Sequence, residues 1–195
     1  GLGYAKQAIT EIDAEKFETL RAKLAKYEDI SDRIEIEIAT FLNSVSSGDI
    51  SEDTSNKIKG MYKIIGEIES LGDSGDSISR ILSRRNAHKK SFDTETISKL
   101  LAMVALVDEA YDVMISNLVS ANEGVLANIS NAYKVEDKIN VLRNDLRELE
   151  IDEIENNIKS YQNSVYYIDI VNELEKMGDY MINVSQELER AFSKK

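Results

Sequence analysis

Ile64 to Leu82 reads IIGEIESLGDSGDSISRIL and Ile170 to Leu188 reads IVNELEKMGDYMINVSQEL, so one segment is used twice. With Gly72-Asp73 laid on Gly178-Asp179, the copies share Ile64/Ile170, Glu67/Glu173, Glu69/Glu175, Ser79/Ser185 and Leu82/Leu188. Positions 65, 68, 71 and 78 are apolar in both copies. That spacing marks one face of an amphipathic helix, and what recurs beyond packing is Glu-x-x-Gly-Asp. The rest of the chain favours helices as well. Its 195 residues include no proline and nine glycines, too few breakers for a fold of sheets and turns. The fold class is read as all-α.

Periodicity predicts a stub over Leu2 to Ile9, then five long helices at about Ala14–Val45, Thr54–Asn86, Thr94–Val119, Leu126–Glu155 and Ser160–Phe192. Asp13 is placed to cap the second helix, and the acids ending SSGDISED to cap the third. In the second helix Leu20, Leu24, Tyr27, Ile34, Ile38, Phe41 and Val45 share a face. Short connections make sequence neighbours antiparallel, so the last three helices form a three-helix bundle. The reading is tandem three-helix units, 1–90 and 91–195. The first lacks most of its first helix, and the face with Ile34, Ile38, Ile64 and Ile68 is left partly open to self-association.

Composition bounds the function. A net charge of −12 argues against nucleic acid as partner and leaves cations or basic protein surfaces. With no cysteine, thiolate metal sites and disulfides are excluded, in keeping with a reducing compartment. The longest apolar run, Leu100 to Val107, falls far short of the roughly 20 residues needed to span a bilayer, and no signal-peptide pattern opens the chain. There is no Gly-rich phosphate loop and no nucleophile beside a histidine, so no enzyme is expected. The lone His88, in RRNAHKK, lies outside any Glu-x-x-His motif of a di-iron bundle and reads as part of a cationic helix end, with a membrane-surface or partner patch as the alternative.

The duplication extends upstream. Lys26-Tyr27-Glu28-Asp29 matches Lys134-Val135-Glu136-Asp137, with Asp32 opposite Asn140 and Ile38 opposite Leu146. Four i,i+4 pairs result: Glu28/Asp32, Glu69/Asp73, Glu136/Asn140 and Glu175/Asp179. Glu28/Asp32 and Glu69/Asp73 both fall about 30 Å from the Gly48–Ile50 turn, so they sit level across a hairpin, and the other two pairs are likewise level about Asn157. Carboxylates meeting this way repel unless protons or a cation intervene, and all-oxygen ligands suit Mg²⁺, Ca²⁺, Mn²⁺ or ferric iron. With 36 acids in the chain, i,i+4 acid pairs also arise by chance. A solvated acidic flank and a protein-contact surface therefore stand beside metal ligation.

At these residues a family resemblance emerges. ESLGDSGDSI and EKMGDYMINV resemble the Glu-Arg-Ile-Gly-Asp-x-x-x-Asn-Ile signature of PhoU-like proteins, itself repeated in two three-helix bundles. The resemblance implies regulation of phosphate uptake, and iron or zinc clusters at Glu/Asp-x-x-x-Asp motifs. It transfers a ligand role to Glu28, Asp32, Glu69, Asp73, Glu136, Glu175 and Asp179. Ser70 and Lys176 replace the usual arginine, Asn140 replaces an acid, and Gly75-Asp76 is expected to loosen the first signature helix. The FDTETISKLL linker resembles the PhoU-like domains that form the cytoplasmic C-terminal part of Na⁺/phosphate cotransporters. The expectation is thus a regulatory domain at the cytoplasmic face of a bacterial inner membrane, with the transporter's membrane domain as partner and homo-oligomerisation as a further contact. A free-standing phosphate-uptake regulator and a metal-free helical interaction module are the alternatives.

Overall fold

The structure is a computed structural model that describes residues 2–11 and 13–192. Six α-helices and no strand form among these residues: α1 (Leu2–Thr10), α2 (Ala14–Ser46), α3 (Glu52–Ala87), α4 (Thr94–Asn122), α5 (Ser130–Glu155) and α6 (Tyr161–Phe192). The all-α reading holds. No helix among the described residues is long and apolar enough to cross a membrane.

Local chemistry sets the ends. Asp13 Oδ1 accepts from the amides of Glu15 and Lys16 at 3.0 Å, capping α2 as expected. α3 starts earlier than predicted, because Ser51 rather than an acid caps it by accepting from Thr54 N at 3.2 Å. Asp93 does the same for α4 through Thr96 N at 2.7 Å. α4 runs past Val119 to Asn122 and stops at Gly124, whose φ of 69° turns the chain left-handed. There Val125 N bonds Ser120 O and Gly124 N bonds Ala121 O. That turn carries 125–129 outside the helix and moves the start of α5 from Leu126 to Ser130. Lys89 and Asn157 close α3 and α5 with the same pair of bonds and positive φ.

α1, α2 and α3 pack together, as do α4, α5 and α6, and α3 lies along α6. Gly60 lets α3 and α6 approach so closely that a Cβ there would fall 2.8 Å from that of Ala191. One apolar core runs through all six helices, from Ala8, Phe17 and Ile78 to Val104, Ile139 and Leu174. A smaller one, Leu42, Ile58 and Ile65, sits apart in the outer part of the α2/α3 hairpin. Tyr62 pins that part, its hydroxyl lying 3.0 Å from Ala39 O and 2.7 Å from Asn43 Oδ1.

Coverage differs between the hairpins. Met61 and Ile68 are each 38% exposed, whereas their repeat counterparts Tyr167 and Leu174 are 1% and 0% exposed. α4 covers α6 along its length, but α1 has nine residues, about 13 Å, and covers only the base of α2/α3. Of the α2 face predicted from the wheel, Leu20 and Leu24 are buried, while Tyr27, Ile34, Phe41 and Val45 are exposed for this reason. Of the four isoleucines expected to lie partly open, Ile34 and Ile68 are exposed and Ile64 is buried.

Candidate metal centre

The acid motifs lie where two helices touch most closely. A Cβ on Gly72 would fall 2.3 Å from Ser31 Oγ, and one on Gly178 would fall 2.9 Å from Ile139 Cδ1. Ser31 and Ile139 occupy matching places in the repeat, so each glycine stands at the same α2/α3 or α5/α6 approach. That close contact brings the flanking acids of adjacent helices together.

In the first repeat they meet. One carboxylate oxygen from each of Glu28 and Asp32 on α2 and Asp73 on α3 lies within 4.8 Å of the others. Asp32 Oδ1 is closed to solvent and has no hydrogen-bond partner. A buried acceptor without a donor is costly unless a proton or cation supplies the missing charge. Burial, then Asp32, Asp73 and Asp76, push the Glu28 carboxyl above the usual range, against a smaller pull from Arg80. Glu69 falls outside the three-oxygen group but belongs to the same field. Burial, followed by Asp73 and Glu35, raises its pKa, and Ser70 Oγ, 3.3 Å from Oε2, opposes this.

Two members escaped the sequence reading. Glu35 follows Asp32 by three residues and Asp76 follows Asp73 by three, the other helical neighbour spacing, so an i,i+3 search exposes both. Asp76 is already engaged by Arg80 at 2.8 Å.

The second repeat resolves the same crowding differently. Asn140 Nδ2 donates to Glu136 Oε1, and Arg143 Nη2 lies 3.2 Å from Glu175 Oε1. Burial and Asp179 raise Glu175, while Arg143 and Arg147 hold it back. Asp179 is raised by burial and likewise held back by Arg143. Continuing the repeat alignment places Arg143 opposite Glu35. The loss of an acid at Asn140 and a charge reversal at Arg143 therefore separate the two sites. Glu28, Asp32 and Asp73 fit a hard cation, because the donors are all carboxylate oxygens and one of them lacks any partner. Glu136, Glu175 and Asp179 do not, because a guanidinium already stands among them.

No family model matches the chain, and no curated relative does. Among solved structures it is similar to the phosphate transport system regulatory protein PhoU from Streptococcus pneumoniae, with a TM-score of 0.74 and 16% identity. The match covers 97% of this chain and 86% of that one. The chain has the PhoU fold.

Proposed function

We propose that this chain is a PhoU-like regulatory domain that modulates phosphate transport, serving as the cytoplasmic C-terminal part of a sodium-dependent phosphate cotransporter. The observation that carries the proposal is a fold shared over 97% of this chain with a protein described as a phosphate transport regulator. The two Glu-x-x-Gly-Asp motifs on matching close helix contacts add support. The cotransporter context draws on the FDTETISKLL stretch that leads into α4.

A domain of this kind acts through differential binding to transporter states, since a partner shifts an equilibrium only by that difference. Glu28, Asp32 and Asp73 are proposed to hold a hard cation, Mg²⁺, Mn²⁺, Ca²⁺ or ferric iron. When bound, it would neutralise their mutual repulsion and tie α2 to α3. The test is deletion of the domain from its parent followed by measurement of sodium-coupled phosphate uptake at low and high phosphate. The expected result is an altered rate or phosphate dependence with the same transported substrate. Uptake unaltered at both phosphate levels overturns the proposal, and a parent without membrane spans moves the reading to a free-standing regulator.

A further inference from the structure

In this acidic chain five cationic side chains converge on a cleft of about 810 Å³ between α2, α3, α5 and α6. Arg21 enters it from α2, Arg80 and Arg84 from α3, Arg147 from α5 and Lys176 from α6. Three carboxylates also reach the rim, Asp169, Glu173 and Glu175, so cations are in local excess although the chain as a whole carries −12. The hydroxyls of Ser77 and Ser83 add neutral donors.

The internal partners of these cations are loosely held. Arg80 pairs with Asp76 at 2.8 Å, Lys176 with Glu173 at 2.8 Å and Arg21 with Glu18 at 3.3 Å, and in each pair the cation is 43 to 60% exposed. Only the Arg21 pair is exposed at both ends and so contributes little in water, whereas Asp76 and Glu173 are 14% and 17% exposed and leave the outer side of each cation open to a second anion. Arg84 has no ion-pair partner among the described residues. Five cations are therefore gathered from four helices, and two of them, Arg84 and Arg147, make no direct ion pair among the described residues.

We propose that this cleft binds a phosphoanhydride chain, that of an inorganic di- or triphosphate or of a nucleotide, through Arg21, Arg80, Arg84 and Arg147. A guanidinium offers a planar fork of donors that fits two oxygens of one acid group. One fork saturates a carboxylate, whereas linked phosphoryl groups present successive oxygen pairs to several forks at once. The volume is also in the range of small-molecule sites rather than of a single tetrahedral anion. Because the cations come from both repeats, the ligand would bridge α3 and α6, the helices that join the two halves. The proposal is independent of the regulatory reading above and of any cation at Glu28.

Calorimetric titration of the full chain, chelated free of metal and held at constant ionic strength, tests it with orthophosphate, triphosphate, ATP and sulfate as probes. Triphosphate or ATP should saturate with a Kd below about 1 mM, roughly tenfold or more tighter than orthophosphate or sulfate. Equal affinity for triphosphate and ATP identifies the chain alone as the ligand, and tighter ATP binding adds a contribution from its nucleoside. Joint substitution Arg84→Gln and Arg147→Gln should weaken binding about tenfold or more with an unchanged circular dichroism spectrum. Should that double variant fail to fold, the exposed Arg84→Gln alone should give a weakening of several-fold. Lys134→Gln, on the exposed side of α5, should change nothing. Absence of saturation, equal binding of sulfate, or an equal loss in Lys134→Gln overturns the proposal.

Discussion

The α2/α3 and α5/α6 hairpins are two answers to one electrostatic problem. Both press two helices together at a glycine, and both raise acids beside that contact. In α5/α6, Arg143 lies 3.2 Å from Glu175, and Asn140 donates to Glu136 where the first repeat has Asp32. In α2/α3, Glu35 stands where the arginine would be, and the guanidinium that pulls on Glu28, Arg80, is itself paired with Asp76. The first hairpin is left dependent on a proton or external cation, while the second has its counter-charge covalently attached. Descent from one repeat keeps the helix contact, and two positions, Asp32/Asn140 and Glu35/Arg143, decide whether the acids around it are open to a ligand.

The largest expected effect tests that contrast directly. A cation bound only to the folded chain at about 100 times its Kd adds about 2.7 kcal/mol, or roughly 5–10 °C in Tm for a chain of this size. Mn²⁺, Mg²⁺, Ca²⁺ or ferric iron should produce such a rise by calorimetry. Joint Asp32→Asn and Asp73→Asn should remove it, and Glu35→Arg should remove it as well by giving the first site the internal cation of the second. No shift with any of these metals would leave the acids as a solvated flank.

Next comes the loss of the internal cation. Arg143→Ala leaves Glu175, whose side chain is 15% exposed, beside Asp179 without its ion pair. Removing the partner of a largely buried charge costs about 1–3 kcal/mol, more than removing an exposed pair such as Lys138 with Glu109. Denaturant midpoints of Arg143→Ala and Lys138→Ala should differ accordingly. Equal midpoints would show that the arginine is not the second site's counter-charge.

The glycines come third. Gly→Ala inside a helix gains about 1 kcal/mol of propensity. At Gly72 the obstacle is the Ser31 hydroxyl, which can rotate away from its carbonyl partners on α2, so Gly72→Ala should be close to neutral. At Gly178 the obstacle is Ile139, 1% exposed in the core, where overpacking costs about 1–3 kcal/mol. Gly178→Ala should therefore be the more destabilising in a melt. The reverse order would mean that the Ser31 hydroxyl is held in place while the Ile139 side chain gives way.

Much of this was legible in the sequence because the signals are local. The repeated Glu-x-x-Gly-Asp, the helical period and the Asp13 cap follow from residues near one another in the chain, and they fix the six helices and the level of Glu28, Asp32 and Asp73. The misplaced boundaries came from competing local chemistry: Ser51 outcompeted the acids after it as a cap, and Gly124 moved the start of α5. What stayed hidden depends on which helix lies opposite. Glu69 falls outside the three-oxygen group although it has the same spacing from Asp73 as Glu28 has from Asp32. The sequence likewise gives no sign that Arg143 points at Glu175, or that arginines far apart in the chain line one cleft. Exposure of Ile34 and Phe41 reflects the short reach of α1, not their own pattern.

The smallest expected effect is a pH dependence that separates the hairpins again. Glu28, Glu69, Glu175 and Asp179 are all raised in the folded chain, each by burial first. A raised carboxyl binds its proton more tightly folded than unfolded, so stability should increase as pH falls from neutral through the folded pKa values, the gain being complete below the unfolded ones. Asp13, Asp93 and Glu153 are lowered, Asp13 and Asp93 by backbone amides first and Glu153 by Lys159 first. Their stabilisation is present above the unfolded pKa and lost as pH falls through the folded one, a window below that of the raised group. Tm should accordingly climb slightly as pH falls from neutral through the raised carboxyls and fall again in stronger acid. Asp73→Asn removes a cause of the shift at both Glu28 and Glu69, so it should flatten the first-repeat share of that climb, as should saturating metal. Neither should touch the share from Glu175 and Asp179. A climb abolished completely by Asp73→Asn would place the whole effect in the first hairpin and contradict the raised pair beside Arg143.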